Sequence, residues 1–205
     1  TLRGLDFYKT FIELIRKYNK KNLSVHCAIQ TNGVLIDDEW ASFLAENKFL
    51  VGLSLDGPEE IHNLNRIKQN DHASFNDVMR AARIMTKHKV DFNILCVVTG
   101  RGARSIEKIY NFFKKQGFRY LQFIPCLEPI EQERGSTIYA LSVKDFEEYL
   151  IRLFDLWYND YIKANYISIR HIDNTIRMLR GEPPELCSMS GCCTIQYVVE
   201  GDGGV

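Results

Sequence analysis

A helical stretch followed by a short apolar strand recurs four times between Leu5 and Cys126, and that alternation decides the fold class. "LDFYKTFIELIRKYNKK" carries apolar or aromatic residues at Leu5, Tyr8, Phe11, Ile12, Leu14, Ile15 and Tyr18, close to a helical period, with Asp6 in the first turn and lysines in the last. "SVHCAIQTNG" then reads as a buried strand ending in a polar turn. The pairing repeats as "DDEWASFLAENK" with "FLVGLSLDG", "SFNDVMRAARIMTKHK" with "VDFNILCVVTG", and "SIEKIYNFFKKQG" with "FRYLQFIPC". Strands that are apolar on nearly every residue are covered on both faces, which calls for a parallel sheet flanked by helices. The class is α/β, either an open doubly wound sheet or part of a barrel. Two details favour the barrel: no Gly-rich phosphate loop follows a strand, and polar residues gather where strands end, at "QTNG", "SLDGP", "TGRG" and "PCLEP". Those strand ends should rim one shared site.

After "FRYLQFIPC" the alternation breaks. "SVKDFEEYLIRLFDLWYNDYIK" reads as a long amphipathic helix with Ser142 as its N-cap, and its aromatic stripe Phe146, Tyr149, Phe154 and Trp157 as a packing face. "HIDNTIRMLRG" makes a shorter helix closed by Gly181, and "EPPEL" is a stiff linker. A boundary falls near Pro183, giving segments 1–140, 141–182 and 183–205.

With 205 residues, 45% of them hydrophobic, the chain is long enough to bury a full core. Its net charge of zero leaves no electrostatic footprint for nucleic acid or an anionic membrane. No apolar run approaches the roughly 20 residues needed to span a bilayer, so a cytoplasmic location is expected.

Cys27, Cys96 and Cys126 lie in or at the end of apolar runs, where reduced thiols pack as small hydrophobes. His26, inside "SVHCAI", reads as a hydrogen-bonded core histidine, and His62 has no metal partner in sequence. Asp56 in "SLDG" is suited either to cap the following turn or to orient a site. The other three cysteines fall within Cys187–Cys193. A loop containing Gly191 lets Cys187 and Cys193 converge on one metal centre, whereas Cys192 points elsewhere in an extended chain. Zinc or an iron–sulfur cluster normally takes four protein ligands, so a reduced surface loop is the other reading of these residues. "IQYVVEGDGGV" then reads as a strand running into an unfinished hairpin.

"AIQTNGVLID", "VGLSLDGPEEIHNLNR" and "CSMSGCCTIQYVVEGDGGV", in this order and on this frame, resemble the anaerobic sulfatase-maturating enzymes, radical S-adenosylmethionine proteins with a cysteine-rich SPASM domain. "TNG" or "SLDG" alone is a weak signal; "SLDGPEEIHNLNR" followed by the terminal cysteines is a specific one. The resemblance implies a partial (β/α)6 TIM-like barrel over 1–140, a helical connection over 141–182 and the start of a SPASM domain at 183–205. It also implies a chemistry in which S-adenosyl-L-methionine is reductively cleaved and a 5′-deoxyadenosyl radical takes a hydrogen atom from Cβ of a Cys or Ser in an unfolded sulfatase peptide, giving Cα-formylglycine. Flavodoxin or ferredoxin would supply electrons.

By position in the family pattern, Ser54 and Arg66 would hold the methionyl carboxylate, Leu127 would pack on the adenine, and Gln30 would line the site near cofactor and peptide. Cys187 and Cys193 would be two of four ligands of the first auxiliary 4Fe–4S cluster, with Cys192 a bystander. The CxxxCxxC loop of the catalytic cluster is expected before Thr1, and the catalytic Asp and remaining auxiliary ligands beyond Val205, so the segment alone is expected to be inactive. Two other readings stay open: another SPASM peptide-modifying enzyme, and a metal-structured or metal-free α/β binding module.

Overall fold

Five parallel strands lie side by side in the order in which the chain makes them: β1 (Ala28–Thr31), β2 (Leu50–Ser54), β3 (Phe92–Val98), β4 (Tyr120–Pro125) and β5 (Ser168–Ile169). The computed structural model describes residues 1–66, 73–131, 133, 135–191, 197–199 and 204, and for Ser188 the backbone alone. Parallel neighbours need a crossover between each pair. Here the crossovers are α2 (Asp38–Glu46), then α3 (Glu59–His62) with α4 (Phe75–Lys87), then α5 (Gly100–Arg104) with α6 (Ile106–Lys115), and finally α7 (Val143–Tyr161). Helix α1 (Leu5–Tyr18) precedes β1, while α8 (Arg170–Leu179) and the single turn α9 (Cys187–Ser190) follow β5.

The strand order never reverses, so there is no switch point of the doubly wound kind, and the sheet advances as a barrel wall does. Among the described residues β1 and β5 do not pair, and the wall is an open arc.

Side chains sort onto two faces of this arc because successive strand residues point to opposite sides. Val51, Leu53 and Leu55 of the β2 run, and Ile94, Cys96 and Val98 of β3, join the main core with Leu44, Met85, Ile109, Tyr110 and Phe113 from the helices. Leu95 is as buried but lies outside that cluster. The alternate residues Gly52, Ser54 and Leu95 therefore form the inner face. Gly52 is needed there: a Cβ would sit 2.6 Å from Leu95 Cδ1 and 3.4 Å from Gln30 Cγ, because both neighbouring strands lay side chains across β2 at this point.

Local signals account for three of the helix starts. Asp37 accepts a hydrogen bond from Trp40 N at 2.9 Å to open α2, Thr99 accepts from Gly102 N at 3.2 Å to open α5, and Ser142 accepts from Asp145 N at 3.0 Å to open α7, as its sequence predicts. Gly181, at φ +79°, follows the last turn of α8 in the left-handed region open to glycine.

Three expectations are corrected. The alternation does not break after β4: Tyr120 and Leu121 pair with Ser168 and Ile169, so the segment 141–182 supplies a crossover helix and a strand of the same sheet. His26 is exposed beside Ser24 Oγ at 3.0 Å, because β1 begins only at Ala28 and the residues before it lie outside the core. Phe154 is 48% exposed and stacks on Tyr158, whereas Tyr149 and Trp157 are buried as expected. Cys96 is a core thiol, while Cys27 and Cys126 are half-buried at strand ends.

Candidate functional site

Strand β2 delivers Ser54, half-buried, to the carboxyl rim of the sheet, in register with Leu95. The ladder continues one residue further through Leu55 N to Leu95 O at 3.0 Å. The chain then turns at Gly57, whose φ of +133° and 3.0 Å approach to Ile109 would strain any side chain. Between these points sits Asp56, 6% exposed.

Its carboxylate accepts from Arg66 Nε at 2.5 Å and Arg66 Nη2 at 3.1 Å, and from the backbone N–H of Val97 on β3 at 2.9 Å. A two-pronged guanidinium–carboxylate pair is strong and directional. Of the five N–H groups a guanidinium offers, two go to Asp56 and three have no partner among the described residues. Asp56 thus pins Arg66 and ties it to β3, and none of these bonds caps the following turn.

Behind this pair lies a chain of hydrogen bonds that sequence reasoning missed. Asp56 N–H donates to His62 Nδ1 at 3.2 Å, His62 Nε2 meets Ser74 Oγ at 3.0 Å, and Ser74 Oγ–H donates to the carbonyl of Arg66 at 2.6 Å. His62 is fully buried and packs edge-on against Phe75. Burial lowers its pKa to about 4, the Arg66 charge adding to this and Asp56 opposing it. Ser74 stands at the N-cap position of α4 yet makes no capping bond, since its hydroxyl is engaged by His62 and Arg66. The sequence signal was the polar density of "SLDGPEEIHNLNR", with His62 and Arg66 four apart.

The remaining predicted residues sit around the same rim. Gln30, exposed, is the third residue of β1 and lies in register with Gly52. Leu127, two residues beyond β4, is 87% exposed, so the alternative of a plain core leucine does not hold. Its loop is gathered by Glu128, whose carboxylate accepts from Gly135 N, Thr137 N and Thr137 Oγ1 at 2.8, 3.3 and 2.8 Å.

Cys187 is elsewhere. Asn174 Oδ1 accepts from Glu185 N at 2.6 Å and Leu186 N at 3.2 Å, which anchors the "EPPEL" segment to α8. Cys187 follows on the turn α9 with an exposed side chain, and Gly191 ends that turn at φ +71°. Cys192 and Cys193 lie outside the described residues. Asn174 and Glu185 line an open cavity of about 940 Å³ with Leu50, Phe92, Tyr120 and Ser168, all at strand starts, so this cavity lies at the opposite end of the sheet from Ser54 and Arg66. We place the candidate site at the rim, because its polar side chains converge there.

Among the described residues no three His, Cys, Asp or Glu side chains gather as a metal site. Burial also pushes the Cys96 thiol well above its ordinary pKa, with Asp56 adding to the shift, which suits a core group and opposes a thiolate ligand. No helix of the described residues is long and apolar enough to cross a membrane.

Residues 5–113 match the profile of the Radical SAM superfamily. Over 205 residues the chain is 49% identical to the cysteine-type anaerobic sulfatase-maturating enzyme of Clostridium novyi (strain NT), covering all of this chain and 55% of that protein. It is 34% identical over 218 residues to the serine-type anaerobic sulfatase-maturating enzyme of Bacteroides thetaiotaomicron, covering all of this chain and 52% of the relative. A solved structure described as native anSMEcpe with bound AdoMet and Kp18Cys peptide superposes with a TM-score of 0.95 at 51% identity, covering 99% of this chain and 56% of that one. The chain spans about half the length of the curated relatives it matches.

Proposed function

The chain belongs to the radical SAM superfamily, and we propose that it carries the S-adenosylmethionine-holding wall of an anaerobic sulfatase-maturating enzyme, which oxidises a Cys or Ser of an unfolded sulfatase segment to Cα-formylglycine. The observation that carries this reading is the guanidinium of Arg66, pinned two-pronged by Asp56 just past Ser54, in a chain 51% identical to a structure with AdoMet and a peptide bound.

The donor set fits the cofactor. A methionyl carboxylate accepts hydrogen bonds only, and Ser54 Oγ–H with the three N–H groups that Asp56 leaves on Arg66 can supply them. Because Asp56 already balances the guanidinium charge, Arg66 serves the ligand chiefly as an oriented donor. Leu127 offers an exposed apolar face to the adenine, and Gln30 an amide on the inner wall near cofactor and peptide. When bound, S-adenosylmethionine supplies one-electron chemistry able to remove a hydrogen atom from an unactivated C–H bond.

The residues present do not fit the catalytic iron–sulfur cluster. Cys27, Cys96 and Cys126 stand on or beside three different strands and do not form the three-thiolate loop such a cluster takes. Cys187, exposed on α9, with Cys193 as partner, is proposed to ligate an auxiliary 4Fe–4S cluster together with further ligands of the complete protein. A SPASM-type start at 183–205 belongs to the same proposal, as does reduction by flavodoxin or ferredoxin, with 141–182 counted in the barrel part because it supplies β5.

The test uses the complete protein, reconstituted anaerobically with iron and sulfide and given a reductant, S-adenosylmethionine and a sulfatase-derived peptide of the form Cys-x-Pro-x-Arg or Ser-x-Ala-x-Arg. Aldehyde formation on the Cys or Ser is expected. Cofactor cleavage without any peptide aldehyde would assign the chain to a different peptide-modifying activity.

A further inference from the structure

We infer that His62 is the positioning residue for Arg66: with its proton on Nε2 it closes a ring of hydrogen bonds, Asp56 to His62 to Ser74 to Arg66 and back to Asp56, that holds the guanidinium at the rim. The ring's consequence for cofactor rests on the proposed role of Arg66.

The tautomer is forced from both ends. A backbone N–H only donates, so Asp56 N–H requires an unprotonated Nδ1. A carbonyl only accepts, so the proton of Ser74 Oγ goes to Arg66 O, and Ser74 must take its own hydrogen bond from a protonated Nε2. Both constraints select the same neutral imidazole. An imidazolium would turn a second N–H against that of Asp56 with no room to move, since His62 is fully buried.

The ring also grips Arg66 twice. Asp56 fixes its guanidinium and Ser74 fixes its carbonyl, so backbone and side chain are set together, and Val97 N–H ties the assembly to β3. The groups facing the imidazole are Asp56 and Arg66, Ser74 at the start of α4, and the ring of Phe75. A buried polar circuit in which every member is satisfied specifies one geometry, and opening it at one bond leaves partners exposed to the full cost of desolvation.

The test uses the complete protein and S-adenosylmethionine as the probe. Equilibrium binding to His62→Phe, which keeps the aromatic packing but breaks both hydrogen bonds, is expected to weaken about ten-fold, the size of one lost hydrogen bond. Ser74→Ala, a milder change should His62→Phe fold poorly, is expected to weaken binding several-fold. In His62→Phe combined with Arg66→Ala the loss should equal that of Arg66→Ala alone, since a positioning residue has nothing left to position. Multiplying losses in the double variant, or unchanged binding in both single variants while Arg66→Ala is impaired, would overturn the positioning role alone. Arg66→Ala binding as tightly as the parent would instead overturn the cofactor reading. Independently of the cofactor, a long-range proton–nitrogen spectrum of histidine-labelled protein should show His62 neutral with the proton on Nε2 at pH 7, and a proton on Nδ1 would sink the inference.

Discussion

Two buried carboxylates, Asp56 and Asp160, have nearly the same exposure, 6% and 8%, and each takes a cation and a further donor, yet they do different work. Asp160 on α7 accepts from Lys114 Nζ at 2.9 and 3.1 Å and from Tyr110 Oη at 2.9 Å, which bolts α7 to α6 outside the sheet. Asp56 accepts from Arg66 and from Val97 N at the carboxyl rim. The difference lies in what the cation has left to give. Lys114 is a point charge spent on its partner, whereas Arg66 keeps three directed N–H groups on a plane that Asp56 and the His62 ring hold still. On the proposed reading, it is this forked cation on a rigid frame that lets the Asp56–Arg66 pair serve a ligand.

Removing one member of each pair breaks the comparison most directly. Asp56→Ala leaves a guanidinium that is only about a quarter exposed without its partner, and should cost about 3 kcal/mol of stability by chemical denaturation, together with most of the affinity for S-adenosylmethionine. An intact denaturation midpoint would mean that the pair is solvated and that its geometry carries no constraint.

A pH series separates the two sites next. The folded pKa of His62 lies near 4, below its ordinary value of 6.5, so the unfolded chain binds the extra proton first. The stabilisation is complete above about pH 6.5 and is lost as the pH falls toward 4, up to about 3 kcal/mol at roughly 1.4 kcal/mol per unit. The stability–pH slope over that window should vanish in His62→Phe and persist in Asp160→Asn. A slope unchanged in His62→Phe would show that other groups carry it.

Arg66→Ala sharpens the functional half of the comparison. Loss of the oriented donors should weaken S-adenosylmethionine binding by one to two orders of magnitude, the worth of a hydrogen bond to a charged group at about 1.5–3 kcal/mol. Unchanged affinity in a folded variant would make the Asp56 pair purely architectural, like that of Asp160.

What the sequence made legible follows the range of the interactions. The four helix–strand units, the Ser142 cap and the polar strand ends were readable because each is a local pattern of several residues. Strand β5 was not, since two residues cannot display a period and it is recruited only by Tyr120 and Leu121 on β4. His26 was misjudged because an apolar run does not reveal where its strand begins. The rim residues Ser54 and Arg66 came from a family pattern, but the reason Arg66 stands where it does was hidden: Ser74 is twelve residues from His62, and Val97 forty-one from Asp56. No window of sequence spans that ring. Leu127 was equally opaque, for its exposure depends on how Glu128 folds the loop beyond it.

The smallest effect tests the other side of the comparison. Burial alone would raise the Asp160 pKa, but hydrogen bonds from Lys114 and Tyr110 outweigh it and hold the carboxyl below its usual range. A depressed folded pKa means that the stabilisation is present above the unfolded value near 3.8 and is lost only as the pH falls through the folded one, below the window in which the His62 ring fails. Asp160→Asn keeps the shape and one acceptor, so about 1–2 kcal/mol of stability should go at neutral pH, with Lys114 left partly exposed to water and therefore only partly penalised. Binding of S-adenosylmethionine should stay within two-fold of the parent, because α6 and α7 touch the outer layer and leave the rim ring intact. A ten-fold loss of affinity in a stably folded Asp160→Asn would mean that the two carboxylates are coupled through the sheet, and the distinction between scaffold pair and site pair would have to be given up.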